Sequence, residues 1–354
     1  MHMTGNFIGR ALAVLALALL LPAQGWAADA DPRLEGRTLD VLVGFSNTGD
    51  GARFWNLFSS ALRRQLPKTV IRARFDDTAR GAKGTSDLFA LPQDSLAVGF
   101  VRPPDIAFAQ ARKLEGVAYD LHKAKWITGV EEESFVMVAR RGLPVEPQAL
   151  RAAGNSLIMP VSDILATHAT VGVLLNAVTG IGAKVVVGFG NSARLKSVLA
   201  GDADFYTAAA DQELKPLFES GDVQALYTIV GEQFPPQVDR SRTLESFLVP
   251  GAPQVVVDYI KSARGMGRAF FAPPGVSEED LEALREAFHA VLIDPEFVAE
   301  AASMAVPVAA VEWQRVERQI LEILPTDGAR LEQIEHAYAC GLAMSEGRLD
   351  RCDF

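Results

Sequence analysis

Residues 39–66 read LDVLVGFSNTGDGARFWNLFSSALRRQL. Leu39 to Val43 alternates loosely as a strand does, and Phe54 to Leu66 carries apolar residues at helical spacing. Between them lies Gly44-Phe45-Ser46-Asn47-Thr48-Gly49-Asp50-Gly51, a tight loop of small polar residues. Strand, loop and helix make one βα unit. Such a loop faces the crevice beyond the strand ends, where the helix N-terminus offers unpaired N–H groups to an anion.

The unit recurs along the chain. Thr69 to Phe75, Ser95 to Phe100 and Ser156 to Met159 read as strands, followed by a helix from Leu165 to Val178. Ala183 to Val187 (strand), Ser192 to Ala200 (helix), Asp204 to Thr207 (strand) and Gln212 to Ser220 (helix) continue the alternation. Alternating strands and helices predict an α/β fold of mostly parallel sheets flanked by helices. Two places break the rhythm. Lys125 to Ala139 holds two apolar runs around Glu131-Glu132-Glu133, an acidic run expected on a solvated face, and Gln233 to Pro253 is rich in proline and turn residues. Both are expected to be crossings of a hinge. The lobes then run as 35–134 with 247–325 and as 135–246, with a C-terminal extension at 326–354. In the returning part Ala269 to Ala272 reads as strand, Ser277 caps a helix with Asp280 three residues on, and Val311 to Leu324 reads as helix.

Arg10 precedes an apolar run from Ala11 to Leu21, then Pro22 and the small-residue ending Gly25-Trp26-Ala27. This is the pattern of a secretory signal peptide at 1–27, cut after Ala27. The run is too short to span a bilayer, which takes roughly 20 apolar residues. No cysteine near the cut could carry a lipid, so a soluble periplasmic protein is expected. The 354 residues carry 34 Lys and Arg against 44 Asp and Glu, a net charge of −10. An acidic surface of that size repels nucleic acid. The only cysteines, Cys340 and Cys352, sit close together at the C-terminal end. In an oxidising compartment they can pair; the other reading is two free thiols in a frayed tail.

Three loops precede helices and supply the candidate ligand-binding residues. The first contributes Ser46, Asn47, Thr48, Gly49 and Asp50. The second, Met159-Pro160-Val161-Ser162-Asp163, contributes Ser162 and Asp163 and leads to Thr167 and His168. The third, Gly188-Phe189-Gly190-Asn191-Ser192, contributes Gly190 and Asn191, and Thr207 ends the next strand. Arg102 follows the strand Leu96 to Val101 and is either a bidentate partner for an anion or a surface residue before Pro103-Pro104. Asp50 either opposes a bound carboxylate or caps its own helix. A lone histidine, His168, implies no metal, and nothing implies a cofactor.

The order of segments resembles the periplasmic receptors of tripartite tricarboxylate transporters, the Bug proteins, from about Leu39 to Ile323. Arg80-Gly81-Ala82-Lys83-Gly84 stands where the family has a Gly-Ala-Gly-Gly turn, and Gln93-Asp94-Ser95-Leu96 is similar to its Pro-Asp-Gly-Tyr strand entry. Leu199-Ala200-Gly201-Asp202-Ala203-Asp204 resembles its Leu-x-Gly-x-x-Asp signature, and Glu219 to Leu226 its Gly-Lys-x-Arg-Ala-Leu stretch. Phe271-Ala272-Pro273-Pro274-Gly275-Val276 is similar to its Ala-Pro-Ala-Gly-Thr-Pro turn. The family's loop Gly-Gly-Gly-Thr-Asp falls on Thr48 to Ala52, so its aspartate position is alanine here. The resemblance implies a two-lobed type II periplasmic-binding-protein fold, the Venus-flytrap. It also implies capture of a small organic acid between the lobes, for membrane transporter subunits, by a monomer. A sensing or protein-interaction module that has lost such binding is the alternative. No Gly-x-Ser-x-Gly, Walker loop or His-Glu-x-x-His motif points to an enzyme.

Overall fold

The computed structural model describes residues 32–131, 134–164, 166–210, 213–304 and 306–354. The signal-peptide reading at 1–27 lies outside them. The first half runs β1 (Thr38–Val43), α1 (Asp50–Gln65), β2 (Val70–Phe75), α2 (Ala82–Phe89), β3 (Ala97–Val101), α3 (Pro103–Ala111) and β4 (Lys125–Gly129). The middle runs β5 (Phe135–Arg140), α4 (Pro147–Ala153), β6 (Ile158–Pro160), α5 (Thr167–Thr179), β7 (Lys184–Val186), α6 (Asn191–Ala200), β8 (Phe205–Ala209), α7 (Lys215–Ser220) and β9 (Val223–Val230). Then come α8 (Gln254–Gly265), β10 (Ala269–Ala272), α9 (Glu278–Leu292), α10 (Pro295–Ser303), β11 (Val311–Glu312), α11 (Trp313–Ile323) and α12 (Gly328–Ser345).

Two lobes result. One is a six-stranded sheet ordered β11-β4-β10-β3-β1-β2, and the other holds β8-β5-β9 beside the pair β6-β7. The sheets are mixed where strand–helix alternation predicted mostly parallel ones. The βα units β1, β2 and β3 are parallel, but β10 enters from the other lobe and runs antiparallel to β3 and β4. In the second lobe β5 arrives across the hinge and runs antiparallel to both β8 and β9. The first lobe's core centres on rings: Phe58 stacks among Phe54, Phe270 and Phe288, all fully buried. Truncating one such ring to alanine typically costs about 3–5 kcal/mol.

Four expectations change. Helix α1 begins at Asp50 rather than Phe54, because the Arg53 amide already bonds the Gly49 carbonyl at 3.0 Å. Its first turn is made of small residues, which periodicity reads as loop. Val311–Glu312 is an edge strand on β4 before the last predicted helix starts. The run Gln233 to Pro253 does not cross. It is tied back to the second lobe by Thr228 N to Arg242 O (2.8 Å) and Val249 N to Val178 O (2.8 Å). The return crossing falls at Gly265 to Arg268, so helix α8, assigned to the first lobe, packs on α5 and β9 as well as on α11. Glu131 is the fourth change: it is 4 % exposed, not solvated.

Glu131 lies on the outgoing crossing and Arg268 on the returning one. The carboxylate accepts from Arg268 N (3.0 Å) and Nε (2.7 Å), and its second oxygen accepts from Nη2. Main-chain bonds knit the same place, with Val130 N to Arg268 O at 2.9 Å and Ala309 N to Val130 O at 2.9 Å. A Cβ on Gly267 would sit 2.0 Å from Glu131 Cγ, so only glycine lets the two crossings approach this closely.

A third crossing follows α11. Helix α12 leaves the first lobe and lies along α5, where a Cβ on Gly341 would stand 2.0 Å from the Val173 carbonyl oxygen. Ser345 Oγ accepts from Val185 N (2.8 Å), and Asn155 Nδ2 donates to Ser345 O (2.9 Å). Tyr338 reaches back to Arg112 at the end of α3, hydroxyl to Nη1 at 3.2 Å. Cys340 and Cys352 are joined by a disulfide with their Cα atoms 5.8 Å apart. The C-terminal segment is thus a packed helix and not a frayed tail.

Removing one partner from a buried ion pair strands the other charge, which typically costs about 3–5 kcal/mol. Glu131→Ala should therefore lower unfolding free energy by that amount in denaturant titration. A loss below about 1 kcal/mol, the scale of exposed pairs, would show that the pair does not hold the crossings.

Candidate functional site

The ends of the βα units meet in a cleft of about 680 Å³ between the lobes. From the first lobe it is lined by Ser46, Thr48, Gly49, Asp50, Arg80 and Arg102, and from the second by Ser162, Thr167, His168, Arg194 and Thr207. Arg264 comes from the last turn of α8 and Arg268 from the returning crossing. A second cavity of about 550 Å³ adjoins it, shares Arg80, Arg102 and Asp105, and adds Asp163, Phe108 and Leu114.

Most sequence-predicted residues are brought together here. Asn47 and Gly190 are exposed and line neither cavity, although Gly190 is the residue before α6; the Asn191 side chain lies outside the description. Ser46 spends its hydroxyl on Thr48 O (2.6 Å). Asp50 pairs with Arg53 at 2.5 Å in the first turn of α1, where a carboxylate suits the helix dipole. The cap position of the helix is Gly49, so Asp50 stands one residue inside it. Ser162 N and Oγ lie 2.9 and 3.1 Å from His168 Nε2, so that nitrogen accepts and the proton sits on Nδ1.

Sequence reasoning missed the arginines. Arg80, Arg194, Arg264 and Arg268 are spread over nearly 190 positions, and each alone reads as a surface residue. Four acids, Asp50, Asp105, Glu131 and Glu213, stand among the same lining residues. Glu131 is held by Arg268, Asp105 by Arg80 (3.5 Å) and the Thr167 hydroxyl, and Asp50 by Arg53. Arg194 lies over the Tyr206 ring at 5.6 Å and Arg264 over the Phe135 ring at 3.6 Å, which orients both guanidinium groups. The field they make is read at His168. Burial first, and then Arg194, Arg264, Arg80 and Arg102, push its pKa from 6.5 down to about 2. The imidazole stays neutral inside a ring of cations. Among the described residues no group of acidic, histidine or cysteine side chains could hold a metal ion, and no helix is long and apolar enough to cross a membrane.

Solved structures share this fold. A TctC solute-binding protein from Polaromonas superposes with a TM-score of 0.67 at 14 % identity, covering 84 % of this chain and 98 % of its own. The fold is that of a periplasmic binding protein. BugD, also a periplasmic binding protein, matches with a TM-score of 0.57 at 16 % identity over 85 % of this chain and 97 % of its own. MatC from Rhodopseudomonas palustris, solved with malate, gives 0.57 and 16 % over 84 % and 98 %. No protein-family model matches the chain, and no curated protein matches it in sequence.

The depressed His168 pKa has a pH consequence. Unfolding restores a value near 6.5, so the unfolded chain takes up a proton that the folded one refuses. This contribution leaves stability at its full value above pH 6.5 and erodes it as pH falls toward 2, by at most about 1.4 kcal/mol per pH unit. His168→Gln should flatten the fall in stability between pH 6.5 and 4, and the wild-type His168 ring signals in NMR should not titrate in that range. An imidazole that titrates near pH 6 would contradict the ring of cations.

Proposed function

We propose that the chain is a periplasmic solute receptor, not an enzyme, that captures a small carboxylate-type organic anion between its lobes for a tripartite tricarboxylate-type transporter. The observation that carries this reading is the placement of guanidinium groups from both lobes around one cleft, in a protein whose net charge is −10. Five arginines against four acids leave the cleft with an excess of positive charge on an otherwise acidic chain, which favours anions locally. Arg102 stands on the first lobe and Arg194 on the second, so an anion held by both is bound more tightly when the lobes are together. That differential affinity is what a ligand needs to shift the protein toward closure and signal a membrane partner. Thr207 and the Ser162 hydroxyl add neutral hydrogen-bonding groups on the second lobe. The malate in the MatC structure supports a carboxylate as the class of ligand. The apolar run at Ala11 to Leu21 with Ala27 supports export across the inner membrane.

Titration calorimetry with succinate, malate, adipate and citrate tests the reading. At least one acid should bind, and Arg102→Gln or Arg194→Gln should each weaken it more than tenfold, since a hydrogen bond to a charged group is worth about 1.5–3 kcal/mol. No heat from any acid, or unchanged affinity in both folded variants, would exclude the cleft as a carboxylate site.

A further inference from the structure

Arg80 is held in an unusual way. It and Ala79 both adopt left-handed backbone angles, φ 57° and φ 48°, a conformation that side chains with a Cβ disfavour. Strain of this kind persists where the surroundings over-determine it, and it gathers at functional sites. Here the turn carries the guanidinium off the first lobe and across the cleft. Nη2 donates to Asp163 Oδ2 at 2.5 Å and lies 3.3 Å from Ser162 Oγ, both on the second lobe. Nη1 stands 3.5 Å from Asp105 Oδ2 on its own lobe. Arg80 therefore stands where the two cavities adjoin and bridges the lobes through a carboxylate that belongs to the protein.

The two acids on Arg80 differ in kind. Asp105 is buried, its side chain 9 % exposed, and Thr167 also bonds it, which makes it a fixed counter-ion. Asp163 also accepts from the hydroxyl of its neighbour Ser162 at 3.1 Å, but it is 47 % exposed and precedes α5 on a loop. A pair this open to water is weak and readily exchanged. Its oxygen occupies the place on Arg80 that a ligand carboxylate bridging the lobes would take. Burial alone would lower the Arg80 pKa, but Asp105 and Asp163 outweigh it and raise it, so the guanidinium remains a charged anion-binding group throughout.

Resting on the receptor reading above, we propose that Asp163 is a built-in competitor: its carboxylate holds Arg80 until the anionic group of the ligand displaces it. Two consequences follow from competition. Affinity is lower than the arginines alone would give, and weakly basic or neutral solutes that cannot replace a carboxylate on Arg80 are rejected. The closed arrangement is also populated before ligand arrives, because Asp163 provides a cross-lobe bond in its absence.

The experiment is a double-mutant cycle read by calorimetry, with whichever of succinate, malate, adipate and citrate binds the wild type most tightly. Asp163→Asn keeps the side chain's size and removes its charge; it should tighten binding about threefold to tenfold. Arg80→Gln should weaken binding more than tenfold, and adding Asp163→Asn to it should change nothing further. Asp163→Ser serves as a second neutral variant, and thermal midpoints establish that each protein is folded. Wild-type binding that is unchanged or weakened in both neutral variants would overturn the competitor while leaving the receptor reading standing. The same tightening in the Arg80→Gln background would overturn it as well, since the effect would not pass through Arg80. Absence of binding in wild type and variants alike would overturn the receptor reading and the competitor with it.

Discussion

Everything that positions the cleft passes through the buried pair Glu131–Arg268. A two-lobed protein has few covalent crossings, and their relative register decides whether loops from the two sheets face each other. Here one carboxylate on the outgoing strand takes three donors from one residue on the returning strand, at 2 % and 7 % side-chain exposure. Arg268 then spends another donor on the Asp50 carbonyl at 3.0 Å and lies 4.9 Å from the Phe54 ring. The same guanidinium therefore joins the hinge to the first turn of α1, which carries the first loop of the site. An apolar pair of equal volume could stabilise the crossing as well. It could not fix the loop, because it has no donor for the Asp50 carbonyl.

The second organising feature is electrostatic. The chain as a whole is acidic, yet cations from both lobes and from the returning crossing converge on one cavity, where burial first and then Arg194, Arg264, Arg80 and Arg102 hold His168 neutral. In a crevice walled by protein such charges are less screened than on an open surface. The cleft's own acids are used to balance particular arginines, Glu131 on Arg268 and Asp105 on Arg80, so the balance is set locally, residue by residue. Behind the cleft, α12 adds a third link between lobes by lying on α5 while Tyr338 holds Arg112 of α3. Opening of the lobes must loosen that contact or bend around it.

Much of this was legible in residues 39–66 and their repeats, because strand alternation, polar turns and helical spacing are local signals. The three loops before α1, α5 and α6 were found in this way, and Ser162, Thr167 and His168 fall at the cleft. Arg102 was found from its place after a strand, but Arg80, Arg194, Arg264 and Arg268 were not legible at the cleft, since each is an isolated charge whose meaning comes only from the pairing of distant strands. Glu131 was hidden for the same reason: inside an acidic run its burial depends on Gly267 and Arg268, more than 130 positions away. The start of α1 was misplaced because Gly51 and Ala52 pack as a helical turn without showing apolar periodicity. The proline-rich run at 233–253 imitated a hinge, but its hydrogen bonds return it to the second lobe.

The most direct measurement is a crystal structure of the protein with the organic acid it binds most tightly. The account requires ligand density in the interlobe cleft, with a carboxylate on Arg80 or Arg102 from the first lobe and another anionic or polar group facing Arg194, Ser162 and His168 from the second. Asp163 should have moved off Arg80. Ligand held by one lobe only, or bound outside the cleft with the arginines still paired to Asp105 and Asp163, would contradict it.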